Sequence, residues 1–143
     1  LAQGVLFLFL GLTIGISFSP WQLLAIVAYL LVIAVGLTAL GFILAWRLDS
    51  TQGFHAIMSV FLLPMWLLSG AFFPASDNFL AYILLVNPLT YAVAGLRRLL
   101  YGLPFPELPS TSVCLFVTVG FAVFCLMIAA WSARRTTEGD LLS

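Results

Sequence analysis

The chain has 143 residues, of which 64% are hydrophobic and 7% charged, with zero formal net charge and a mean hydropathy of +1.21. Soluble domains are nearer half apolar and a quarter charged, so these proportions specify an integral membrane protein. All five basic residues are arginines, and they leave no electrostatic footprint for a nucleic acid.

Four segments have the roughly 20 residues needed to cross a hydrocarbon core about 30 Å thick. The first covers residues 1–18. It is apolar from its first residue, with no charged leader and no small-residue cleavage site. It is therefore expected to continue a longer chain and not to be a signal peptide. Ser19, Pro20 and Trp21 form a turn, with the tryptophan at aromatic-belt depth. The second span covers residues 22–46, and its Ala34, Thr38 and Gly41 suit close helix approach.

A polar loop, RLDSTQG, follows at residues 47–53. Asp49 with Gln52, or Ser50 alone, would cap the next helix. The third span, residues 54–73, contains LLPMWLLSGAFFP, with a proline near each end and Ser69-Gly70 between them. The fourth covers residues 112–133, capped by Ser110 or Thr111 after the stiff lead-in PFPELPS. Cys114 and Cys125, eleven residues apart in this span, lie about 16 Å apart along a helix and cannot bond to each other. A short polar tail begins at Arg134.

Residues 78–102, NFLAYILLVNPLTYAVAGLRRLLYG, are apolar enough to suggest a fifth span. Arginine counts do not decide, because either topology splits the five three against two. Local pattern is more informative. Asn87 followed by Pro88 reads as a helix cap and first helical position, dividing the segment into helices at 78–86 and 88–101. Neither piece is long enough to cross alone. In the second, Leu89, Ala92, Val93, Leu96, Leu99 and Leu100 form one face, and Thr90, Arg97, Arg98 and Tyr101 the other. Such an amphipathic helix suits an interface or cavity rim, and two adjacent arginines in mid-bilayer would be costly. The expected fold is an all-α polytopic bundle of four spans plus an outer re-entrant or interfacial helix pair.

An ordered series runs through this region: Pro64, Ser69, Gly70, Pro74, then Asn87, Pro88, Leu89, Thr90, Tyr91 and Arg97. In order and spacing it resembles the C-terminal half of the membrane domain of ABC-2 type exporter permeases. The resemblance implies a six-span permease whose last four spans are present, with the helix pair at an outer gate and residues 47–53 and the C-terminus in the cytoplasm. It further implies pairing with a second permease copy and work with a separate ATP-binding subunit or domain. ATP is then used by that partner, and no cofactor binds this chain directly. The expected location is a plasma membrane, the inner membrane of a bacterium, with the coupling helix upstream of Leu1. In many relatives an acidic residue stands six positions after the proline of the Asn-Pro pair. Here that position is Ala94, which puts a gate carboxylate in doubt.

Plainer readings stand beside these. Pro64 kinks a helix whatever its purpose, Ser69-Gly70 permits close packing, and Arg97 and Arg98 suit headgroups or water. Arg47 and Asp49 read as a solvated loop or as a contact for the ATP-binding subunit. His55 and the tryptophans at 46 and 131 fit interfacial positions, and Trp66 is expected to pack against a neighbouring helix. The sequence has no phosphate-cradling loop and no metal-ligand or nucleophile constellation of an enzyme. A non-transporting membrane scaffold or assembly factor, or a secondary transporter, is the competing reading. The latter is disfavoured because the spans hold no ionisable group to couple an ion.

Overall fold

A computed structural model describes residues 2–13, 18–48, 50–70, 79–101 and 109–140. Those residues form helices and connecting turns, without a strand among them. The helices are α1 (Ala2–Thr13), α2 (Pro20–Trp46), α3 (Thr51–Ile57), α4 (Leu63–Leu67), α5 (Phe79–Val86), α6 (Pro88–Tyr101) and α7 (Thr111–Asp140). One π-helical turn, Met58–Leu62, joins α3 to α4.

The helix starts follow the capping chemistry of the sequence. Ser19 accepts from the Gln22 amide at 3.2 Å, with Pro20 in the first turn of α2. The helix thus begins two residues before the expected span. Of the two caps open for α3, the structure uses Ser50, which accepts from the Gly53 amide at 3.1 Å. Ser110 does the same for α7, with the Val113 amide at 3.4 Å. Each cap satisfies an amide that the first helical turn leaves without an intrahelical partner.

The helices α2 and α7 are each long and apolar enough to cross a membrane. They pack side by side in the same direction, because Tyr29 meets Thr118 and Gly36 meets Ala122 farther along. At Gly36 an added Cβ would lie 3.2 Å from the Ala122 Cα, so glycine sets the closeness of this crossing. The buried positions on α2 are Ile26, Tyr29, Gly36 and Ala39. The expected small residues serve less: Gly41 has nothing within 4 Å of an added Cβ, and Thr38 is exposed.

Helix α6 lies across the α2–α7 pair and runs opposite to α2. Gln22 donates through Nε2 to the carbonyls of Leu99 (2.7 Å) and Leu100 (3.3 Å), whereas Tyr29 reaches Tyr91. The face that α6 buries is made of Ala92, Ala94 and Gly95. This corrects the leucine-rich face read from the sequence: backbone proximity favours small side chains, and the leucines flank them. Cys114 and Cys125 are free and buried in α7, as their apolar setting requires.

Candidate functional site

The family-like series converges where α4 meets the start of α6. Proline at 64 has no amide to donate and would press its ring against the carbonyl four residues earlier, that of Val60. The π-helical turn Met58–Leu62 lies on that carbonyl and widens the helix there. The sequence pointed to a bend at Pro64; the structure resolves the conflict by a change of helical pitch immediately before it.

The helix then ends early. Leu68 still donates to the Pro64 carbonyl at 2.9 Å, but Ser69 closes a tighter bond to Trp66 at 3.2 Å. Gly70 follows with φ 75°, the left-handed conformation that glycine adopts readily after a helix. Ser69 is 1% exposed and its hydroxyl donates to the Trp66 carbonyl at 2.6 Å. The pair expected to ease close packing therefore terminates the helix. Pro74, read from the sequence as the stop, lies outside the described residues.

Ending a helix in an apolar setting leaves carbonyls without partners. Asn87 supplies them. Its Nδ2 donates to the carbonyls of Met65 (2.6 Å) and Leu68 (2.9 Å), using both amide protons. Its Oδ1 accepts from the Leu89 amide at 3.0 Å, capping α6 with Pro88 in the first turn. Thr90 adds a longer contact from its hydroxyl to the Leu68 carbonyl at 3.5 Å. Tyr91 turns back to donate to the Leu85 carbonyl at 2.9 Å, pinning the corner between α5 and α6. One buried amide thus caps the end of one helix and the start of another.

Pro64, Ser69, Gly70, Asn87, Pro88 and Tyr91 are brought together by this junction. Arg97 lies on the later part of α6, beyond it. Arg47 is the C-terminal cap residue of α2, with its amide on the Leu44 carbonyl at 3.4 Å. It lies at the opposite end of α2 from Gln22 and the α6 contacts. Asp49 lies outside the described residues. Trp66, expected to pack inward, is 52% exposed, and Ala94 is buried at 2%.

Sequence reading missed a second polar node. The Tyr29 hydroxyl lies 2.8 Å from the Thr118 hydroxyl, 3.1 Å from the Tyr91 carbonyl and 3.4 Å from the Cys114 carbonyl. Donation to Tyr91 and acceptance from Thr118 satisfies the phenol. Gly95 makes room for it, since an added Cβ would stand 2.7 Å from the Tyr29 Cζ. The available signal was a lone tyrosine within an apolar span, whose hydroxyl must find a partner.

The family model for the ABC-2 type transporter matches residues 1–101, a stretch that contains both nodes. The chain belongs to that family. It is therefore a membrane transport component and not itself catalytic. No curated protein and no solved structure matches it. Among the described residues of this ABC-2 chain, no group of three or more His, Cys, Asp or Glu side chains could hold a metal.

Proposed function

We propose that the chain is the permease part of an ATP-driven exporter, with four spans and an outer re-entrant helix pair. The carrying observation is direction. Helices α2 and α7 run the same way, and α6 folds back to the level at which α2 starts. A chain leaving α2 on one side and re-entering at α7 on the other must cross an odd number of times between them. The run from α3 to α4 supplies one crossing, so α5 and α6 enter and return.

Depth counts support this from both ends. Tyr29 is nine residues into α2, about 13 Å, and Asn87 lies one helical turn deeper on α6, at about 19 Å. From the other end, α2 is about 39 Å long, and the 17 residues of α3 through α4 climb back about 25 Å. That places Leu67 about 14 Å below the start of α2, close to the level reached by Asn87. The junction therefore sits near the bilayer midplane, where a permease must open and close. The series Pro64 to Arg97 acts as the outer gate, while Arg47 and Asp49 face the ATP-binding subunit. A second permease copy completes the path, and the complex resides in a bacterial inner membrane.

The topology is tested with an impermeant thiol reagent on Tyr82→Cys, Tyr101→Cys and Arg47→Cys. The parent side chains are exposed, Tyr82 at 73% and Tyr101 at 65%. The first two label from outside and the third only from the cytoplasm. Cytoplasmic labelling of Tyr101→Cys defeats the re-entrant pair. For function, the permease co-purifies with a nucleotide-binding partner and exports only with ATP. Transport driven by an ion gradient without that partner overturns the reading in favour of a secondary transporter. Loss of another complex's assembly, with no transport defect, identifies a scaffold.

A further inference from the structure

A groove of about 320 Å3 lies between α2, α6 and α7, open along one side. Its walls are Ala25, Ala28 and Val32 from α2, Gly95 and Leu99 from α6, and Thr111 and Leu115 from α7, with Tyr29 at its floor. The Tyr29 hydroxyl is already engaged by Thr118 and the Tyr91 carbonyl, so the floor presents no spare donor to a polar ligand. We propose that this groove holds one acyl chain of a membrane phospholipid.

Size decides between the occupants available in a membrane. The α2 wall runs from Ala25 to Val32, about 10 Å along the helix axis. A volume of about 320 Å3 over that length gives a mean cross-section of about 30 Å2. Even with the open mouth included, about 700 Å3 gives about 70 Å2. A helix 10–12 Å across needs about 80–110 Å2. A neighbouring span does not fit; a single hydrocarbon chain does.

Position agrees with size. Trp21 is one turn above Ala25 on the same stripe of α2 and is 80% exposed, as at an aromatic belt. Arg97 and Arg98 precede Leu99 at this end of α6, and guanidinium groups suit a lipid phosphate. From Trp21 to Val32 is about 16 Å, close to half of a 30 Å hydrocarbon core, hence one leaflet. Leu24 and Leu31, which flank the stripe, are 59% and 50% exposed, so the mouth opens onto apolar surface.

The test is native mass spectrometry of the purified, delipidated membrane protein titrated with phosphatidylglycerol, phosphatidylcholine or the corresponding free fatty acid. Wild type retains one phospholipid, and Ala28→Phe, which fills the groove, weakens retention at least tenfold. Val60→Phe, at an exposed site remote from the groove (77% exposed), leaves retention unchanged. Ala25→Val adds two methyl groups and gives an intermediate loss, keeping the test decisive should Ala28→Phe fail to fold. Equal retention by wild type and both groove variants overturns the proposal, as does wild type that binds no lipid. Retention of the fatty acid alone also overturns it, since the phosphate then contributes nothing. A change of oligomeric state without a change of lipid retention assigns the groove to protein contact instead. None of these outcomes depends on ATP or transport, so the site stands or falls apart from the exporter reading.

Discussion

Tyr29 and Asn87 both reach backbone carbonyls of other helices, but they stand in unlike surroundings. Tyr29 is 4% exposed and lies where α2, α6 and α7 come together, with Gly36, Ala94, Gly95 and Cys114 buried around the same seams. Asn87 joins α6 to an element with no buried residue from Thr51 to Leu67. Hydrocarbon supplies no polar partners, so each link contributes more than its counterpart at a water-exposed surface. The contrast divides the molecule into a packed body and an arm. The body is fixed by small residues that let backbones approach. The arm, α3 through α4, is tied to that body through the carbonyls at its end.

The sharpest way to break this contrast is at Gly95. A leucine there meets the Tyr29 ring, pushes α6 off the α2–α7 pair and costs about 3 kcal/mol or more through overpacking and the lost hydroxyl contacts. Gly95→Leu is expected to lower the melting temperature of the whole protein in detergent and to raise amide exchange in α2, α6 and α7 together. An unchanged melting temperature would show that α6 is not seated on Tyr29.

Asn87→Ala attacks the other side of the comparison. It leaves the Met65 and Leu68 carbonyls without the amide and removes the cap of α6, a loss of about 2–3 kcal/mol. The expected signature is local: faster exchange from Leu63 to Gly70 and at the first turn of α6, with α2 and α7 unchanged. Global loosening equal to that of Gly95→Leu would erase the distinction between body and arm.

These two residues also show what the sequence could reveal. Asn87 was legible because Asn-Pro is a local signal, read from two neighbouring residues whose conformations are restricted. Its cap to Leu89 follows from that signal, but its bonds to Met65 and Leu68 do not. Those depend on a helix that ends at Ser69-Gly70, and apolar residues on both sides of the pair conceal the end. Spans were legible from length and hydropathy, and Ser50 and Ser110 from capping chemistry. The buried face of α6 was not, because apolarity alone favours Leu96 and Leu99 over Ala94 and Gly95. Inside a membrane, apolar surface does not mark the contact; closeness of backbones does. Tyr29, Thr118 and Gly95 are distant in sequence, and only the crossing of three helices relates them.

The smallest expected effect on stability, and the most informative about the arm, comes from Pro64→Ala. Alanine restores an amide that can donate within the helix and removes the ring pressing on the Val60 carbonyl, so the π-helical turn loses its cause. Reverting Met58–Leu62 to α-helical pitch rotates everything after it by up to about 100° per residue of register. The carbonyls of Met65 and Leu68 then point away from the Asn87 amide. The gained hydrogen bond and the lost junction oppose each other, leaving a net change of under about 1 kcal/mol. Membrane expression and melting temperature therefore stay near wild type, while exchange from Leu63 to Gly70 rises as in Asn87→Ala and ATP-dependent export falls. Equal loss of expression and export would leave Pro64 a folding residue. Unchanged exchange at Leu63 to Gly70 would show that the π turn forms without the proline and that the register of the arm is set elsewhere.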